Sequence, residues 1–192
     1  MNTLLQCLCL LAIVVTGQSN ARGTEPYIAD LFPEYLIIDC SVGSTSAAEW
    51  QKGGVLYDNC ADAVMQAKNN GYEIVGLFHF QGEADTGTYE NASTWKTLTR
   101  KFFMNFRVTV GEPDLPIVYA QIGAKPAGDG REYWETVKVQ QKNLNRDFPE
   151  FKIIYTDNIT PYCPEDGLHW CPAGYERIAK RFQNKIIWIW SN

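Results

Sequence analysis

LLAIVVTGQSNARG, residues 10–23, is an apolar run that stops abruptly in a small polar cluster. Leu10 to Thr16, rich in Ile and Val, reads as a strand buried on both faces, the pattern of a parallel sheet. Gly17 frees the backbone for a tight turn, and Ser19 falls where such a strand hands over to a helix. A hydroxyl at that corner stands at the carboxyl edge of the sheet, the usual ligand edge of α/β proteins, with backbone N–H groups close by. Taken alone, Ser19 reads as a helix cap. The rest of the chain reverses that choice.

Outward from this corner, strands and helices alternate. Glu25 to Leu31 is expected to form a short helix, closed before Pro33, and Tyr35 to Val42 a second strand. A small polar loop, Gly43 to Gly54, precedes a helix from about Leu56 to Asn70 with its stop at Asn70-Gly71. Glu73 to Phe80 (EIVGLFHF) is a third buried strand, followed by the loop QGEADTGT. Tyr89 to Val110 has helical spacing of Trp95, Leu98, Phe102 and Phe106. Pro116 to Ile122 is a fourth strand, followed by a loop with Gly123, Pro126, Gly128 and Gly130. Glu132 to Arg146 reads as helix, Phe151 to Thr156 as a fifth strand, and Pro172 to about Lys185 as the last helix. The alternation implies one α/β domain over residues 1–192, a three-layer α/β/α sandwich on a parallel five-stranded sheet with right-handed crossovers. The apolar tail Ile186 to Trp190 is either a last packed segment, the favoured choice, or a subunit contact, and oligomeric state stays open.

Composition limits the function. With 192 residues, 45% of them hydrophobic, the chain is long enough for its own core. A net charge of -5 and the lack of basic runs interleaved with aromatics argue against nucleic acid. The densest basic group, Arg177, Lys180, Arg181 and Lys185, has helical spacing and reads as a solvated face. Leu4 to Val15 resembles the apolar core of a signal peptide, but no Lys or Arg precedes it and no A-x-A-like site follows. The run is too short for a membrane span, which takes about 20 residues, and is read as the first strand with a lead-in. Of the six cysteines, Cys163 and Cys171 bracket a short loop and would either staple it or stay as thiols. His169 lies between them, but without C-x-x-C spacing a zinc site is rejected, and no cofactor is implied.

Four polar motifs fall at strand ends: GQSNA (17–21), SVGSTS (41–46), QGEAD (81–85) and DGLH (166–169). A parallel sheet brings them to one edge, where they supply a hydroxyl nucleophile, a base, a carboxylate and oxyanion donors. Asp166 and His169 are three apart, so one turn brings them together, with the imidazole free to take a proton from Ser19. Gly43 allows close backbone approach and would donate its N–H to an oxyanion, and the Gln81 carboxamide would donate as well. Glu83 is either a solvated loop carboxylate or a second partner for His169. His79, inside an apolar strand, reads as a core histidine. Trp170 either stacks on a sugar or packs beneath the loop, and packing is favoured.

In sequence order, GQSNA, SVGSTS, HFQGEAD and DGLHWCPAGYERIAKRF resemble the signature blocks of the SGNH-hydrolase superfamily. The closest resemblance is to its carbohydrate-esterase branch, the sialate O-acetylesterase and acetylxylan esterase-like proteins, and it spans about residues 10–187. The resemblance implies a flavodoxin-like fold, Ser19 as nucleophile, His169 as base and Asp166 as its orienting acid. It further implies an oxyanion hole of the Ser19 N–H, the Gly43 N–H and the Gln81 side chain, and leaves Asp166 and Glu83 as rivals for His169. Ala21 replaces a methionine common after GQSN. The expected activity is metal-independent removal of acetyl groups from a carbohydrate, a substrate class that favours a secreted or periplasmic location. Two alternatives are an esterase or lipase acting on non-sugar acyl esters and a non-catalytic carbohydrate-binding relative.

Overall fold

The computed structural model describes residues 10–160, 163 and 166–192. Five strands, β1 (Leu10–Gly17), β2 (Tyr35–Asp39), β3 (Tyr72–Phe80), β4 (Ile117–Ala120) and β5 (Phe151–Ile154), form one sheet in the order β2-β1-β3-β4-β5. Every neighbouring pair is parallel. Among the described residues, helices α1 (Ser19–Leu31), α2 (Val55–Asn69), α3 (Tyr89–Val110) and α4 (Trp134–Asp147) supply the four crossovers and, with α5 (Pro172–Trp190), cover both faces.

Strand β1 shows why the sheet is central. Ala12 and Val14 point into a core shared with α2, α3 and α4, whereas Ile13 and Val15 point into the core under α1 and α5. All four are fully buried, so a polar residue without a partner at any of them would be costly. Each such side chain contributes roughly 1.5–3 kcal/mol through burial. The order also fixes where a site can form. From β1 the chain moves outward to β2, then returns to place β3 on the other side of β1. The carboxyl ends of β1 and β3 therefore flank the point where strand order reverses, the position of the ligand crevice in such sheets.

At that point the two strands come close. Gly17 has φ +117°, and a Cβ there would lie 2.2 Å from the Phe80 carbonyl oxygen. Only glycine fits, and the next N–H, that of Gln18, bonds the same oxygen at 2.9 Å. Helix α1 then begins at Ser19 instead of the expected Glu25. Pro26 sits inside α1 on its exposed side, which is why the local sequence disguises a helix that is already under way.

The last helix continues through Trp190, taking in the apolar tail. Ile186 is buried, and the Trp190 ring stacks on Tyr35 at 6.0 Å while its indole N–H donates to the Val75 carbonyl. Packing thus accounts for one side of the tail, and Trp188 on the other side stays 55% exposed. A disulfide joins Cys40, just beyond β2, to Cys60 in α2. Cys163 and Cys171 are not bridged, the second of the two alternatives for that loop. Cys7, Cys9 and the lead-in before residue 10 lie outside the described residues. Among the described residues no helix is long and apolar enough to cross a membrane.

Candidate active site

Ser19 is the first residue of α1, and no side chain caps that helix. The initial N–H groups of a helix have no partner within it, so an uncapped start leaves donors beside the Ser19 hydroxyl. The hydroxyl oxygen lies 2.8 Å from Nε2 of His169, 150 residues further along the chain. His169 reaches this position on the loop between β5 and α5, together with Asp166.

Asp166 organises that loop. Its Oδ1 accepts the backbone N–H groups of Leu168 and His169 at 2.8 and 2.9 Å, and its Oδ2 meets His169 Nδ1 at 2.5 Å. The His169 backbone N–H, followed by the imidazole, holds the carboxyl down at about 2, so Asp166 is ionised at any ordinary pH. An ionised carboxylate requires the proton on Nδ1, leaving Nε2 to accept from the Ser19 hydroxyl. The geometry can deprotonate Ser19 and hold the resulting imidazolium.

Gly43 approaches from the loop after β2. A Cβ at Gly43 would have the Ser19 Cβ as its nearest neighbour, at 3.9 Å, so the two backbones face one another. The approach is fixed by the Val42 N–H, which bonds the Gly17 carbonyl at 2.9 Å, and by Arg22, which donates to the Ser41 carbonyl.

Glu83 is buried beneath this corner and is not the carboxylate bonded to the imidazole. Its Oε2 accepts from the Gln18 side chain and its Oε1 from the Asn20 side chain, each at 2.6 Å. Burial raises its pKa, and the Asn20 bond is the largest of the opposing effects. The Asn20 side-chain oxygen Oδ1 in turn accepts from the Tyr175 hydroxyl at 2.9 Å. Glu83 thereby grips the residues on either side of Ser19 and links them to α5.

Gln81 departs from the role expected of it. Its carboxamide is fully buried, and both of its N–H groups are taken, one by the Thr45 carbonyl at 2.9 Å and the other by Asp85 Oδ2. Its oxygen accepts from the Trp95 indole at 2.8 Å. A group with all its donors engaged inside the protein has none to offer an oxyanion. Gln81 ties the loop after β2 to the turn after β3. Burial raises its partner Asp85 to about 6 despite the Gln81 and Ala47 donors.

Comparisons with known proteins identify the family and the fold. Residues 32–188 match the family described as carbohydrate esterase, sialic acid-specific acetylesterase. The chain belongs to this family. A probable carbohydrate esterase of Arabidopsis thaliana is 26% identical over 108 residues, which cover 56% of this chain and 40% of that protein. A solved structure of an Arabidopsis thaliana protein superposes with a TM-score of 0.80 at 14% identity, covering 92% of this chain and 97% of that one. The crystal structure of NanS gives 0.76 at 12% identity, covering 95% and 98%. A carbohydrate acetylesterase from Xanthomonas citri gives 0.64 at 12% identity, covering 89% of this chain and 54% of that one. At these identities the superpositions speak to the fold, which is that of GDSL-like and SGNH hydrolases.

Two further residues lie near the corner without forming part of it. His79 is buried among Trp50, Phe102 and Phe103, with Nδ1 3.0 Å from the Thr16 hydroxyl. Burial lowers it to about 3, so it is neutral and structural. Trp170 is buried against Phe80 and Tyr175, the packing role favoured from sequence. Sequence reasoning missed Gln18, Asn20 and Tyr175. The first two flank Ser19 in the GQSNA motif, and their polar character was the available signal. Tyr175 lies in α5 and becomes relevant only once α5 packs on α1.

Proposed function

We propose that this carbohydrate esterase is a serine O-acetylesterase acting on acetylated sugars of the sialic acid or xylan type, with residues 1–192 acting as one catalytic domain. The observation that carries the proposal is the continuous line Asp166–His169–Ser19, with contacts of 2.5 and 2.8 Å. Ser19 attacks the acetyl carbonyl as His169 Nε2 takes its proton, and Asp166 stabilises the imidazolium. The negative charge that develops on the carbonyl oxygen is met by the Ser19 and Gly43 backbone N–H groups. His169 returns the proton to the departing sugar oxygen. Water activated by the same imidazole then attacks the acetyl-serine, releasing acetate and restoring the hydroxyl.

Acetate release from 4-nitrophenyl acetate, O-acetylated sialic acid and acetylated xylan, measured for wild type beside Ser19→Ala, tests this. The expected result is release from at least one sugar that depends on Ser19. Full activity in Ser19→Ala would eliminate the serine mechanism. Long-chain esters cleaved as well as acetyl ones would point to a non-sugar acyl substrate.

A further inference from the structure

A concave surface lies away from Ser19, along the open edge of β5. A groove of about 890 Å³ runs between the end of α4, the strand and the outer side of α5. Four cations face it: Arg146 from α4, Lys152 from β5, and Arg181 and Lys185 from α5. No carboxylate lines it among the described residues. Arg146 is paired with Asp147, which Lys96 also engages, so the cations without a carboxylate partner among the described residues are Lys152, Arg181 and Lys185. In a chain of net charge -5 such a concentration of positive charge is a local feature rather than a reflection of composition.

The groove also has an aromatic surface. Trp188 and Tyr155 are 55% and 49% exposed there. The Lys152 ammonium lies 5.3 Å from the centre of the Trp188 ring and donates to the Pro149 carbonyl, and Arg181 donates to the Tyr155 carbonyl. These contacts hold two cations in place while leaving N–H donors on each for a ligand. Arg181, Lys185 and Trp188 follow helical spacing, so α5 presents charge and ring on one side. The basic cluster that reads in sequence as a merely solvated face is therefore partly the wall of a concave surface. Its volume falls in the range of sites that hold small ligands or short oligomers.

We infer that this groove binds a short acidic sugar chain, its carboxylates held by Arg181, Lys185 and Lys152 and one pyranose face lying on Trp188. A flat exposed indole suits the C–H face of a sugar, and fixed cations suit carboxylates. Nucleic acid fits less well, because the cations are confined to one groove on a chain of net negative charge. The choice of a sugar over other anions rests on the carbohydrate-esterase reading. β5 lies three strands from β1 in the sheet, roughly 14 Å at ordinary strand spacing, so the groove is separate from Ser19. An acidic polysaccharide held there would keep its acetylated neighbours close to the esterase site.

Titration calorimetry at low salt with oligogalacturonate, on the Ser19→Ala protein, tests this without reliance on hydrolysis. The expected result is binding that weakens as salt is added, with no binding of a neutral xylo-oligosaccharide. Trp188→Ala and the double variant Lys152→Gln, Lys185→Gln, both exposed and each checked for an unchanged melting temperature, are expected to weaken binding at least tenfold. In the Ser19-containing protein the same changes are expected to leave hydrolysis of 4-nitrophenyl acetate as it was. Absent binding, unchanged affinity in both variants, equal binding of the neutral sugar, or tighter binding of an oligonucleotide of matched charge would each overturn the inference. So would sedimentation showing that the variants dissociate a dimer, because the groove would then be a contact between copies. Loss of acetate release from every sugar, with oligogalacturonate binding intact, would instead count against the esterase proposal alone.

Discussion

Asp166 binds His169 twice, through the backbone N–H at 2.9 Å and through the imidazole at 2.5 Å. The first contact shapes the loop and the second sets the tautomer, so a single carboxylate fixes both the position and the protonation of the proposed base. Asp166→Asn is expected to lower kcat by about 10³–10⁴-fold, because the amide can favour the wrong imidazole tautomer. Circular dichroism should show a fold still intact. Near-wild-type kcat would remove Asp166 from the proposed mechanism.

Glu83 should behave differently. Glu83→Gln turns an amide toward side chains that now donate to a carboxylate, and the cost is about 1–3 kcal/mol of stability. Urea denaturation would measure this, and kcat of the folded protein is expected to fall about tenfold or less. A kcat loss as large as that of Asp166→Asn would make Glu83 a direct participant.

For Gln81, the internal bonds predict a structural effect. Gln81→Met breaks its bonds to Thr45, Asp85 and Trp95 and should lower the melting temperature by several degrees. The kcat of the protein that stays folded is expected to drop by less than the roughly 10²–10³-fold that follows loss of an oxyanion donor. A loss in that range, with stability unchanged, would restore Gln81 to the oxyanion hole.

The buried His79 predicts a pH dependence of stability. Its folded pKa is lowered to about 3, whereas the unfolded chain takes up the proton near the ordinary histidine value of 6.5. Its contribution is therefore complete above pH 6.5 and is lost as pH falls toward 3. The slope approaches about 1.4 kcal/mol per pH unit within that window. His79→Phe should remove this share of the slope in denaturation curves between pH 6.5 and 4, and an unchanged slope would contradict the assignment.

The Cys40–Cys60 disulfide spans 20 residues of sequence. A loop of this size contributes about 3 kcal/mol, so the double Cys→Ala variant should melt roughly 10 °C lower. Because the bridge lies just before the loop of Gly43, kcat should be more sensitive to temperature in that variant than in wild type.

The parts of this molecule that could be read in advance are those where a local pattern has one physical meaning. β1 is legible because the six consecutive apolar residues Leu10 to Val15 suit a strand buried on both sides, and α3 because its apolar residues repeat at helical spacing. Ser19, His169 and Asp166 were legible because each sits at a break between an apolar strand and a helix. The start of α1 was obscured by Pro26 and by the polar run Gln18–Asn20, which has the composition of a loop although it opens a helix. The Gln81 bonds were not accessible, since its partner Thr45 lies 36 residues away in a different loop. The Cys40–Cys60 pairing likewise depends on how β2 and α2 lie in space.

The 150-residue separation between Ser19 and His169 also has a meaning in time. On the ribosome β1 and the start of α1 are made before β5 and α5, so the proposed nucleophile exists long before its proposed base. The His169 loop can dock only after β5 is in place, and α5, which packs on α1 and supplies Tyr175 to Asn20, emerges later still. A nascent chain is therefore expected to lack the proposed activity until α5 has been made. Acquisition of activity during translation would report the closing of the whole domain rather than the folding of any one part.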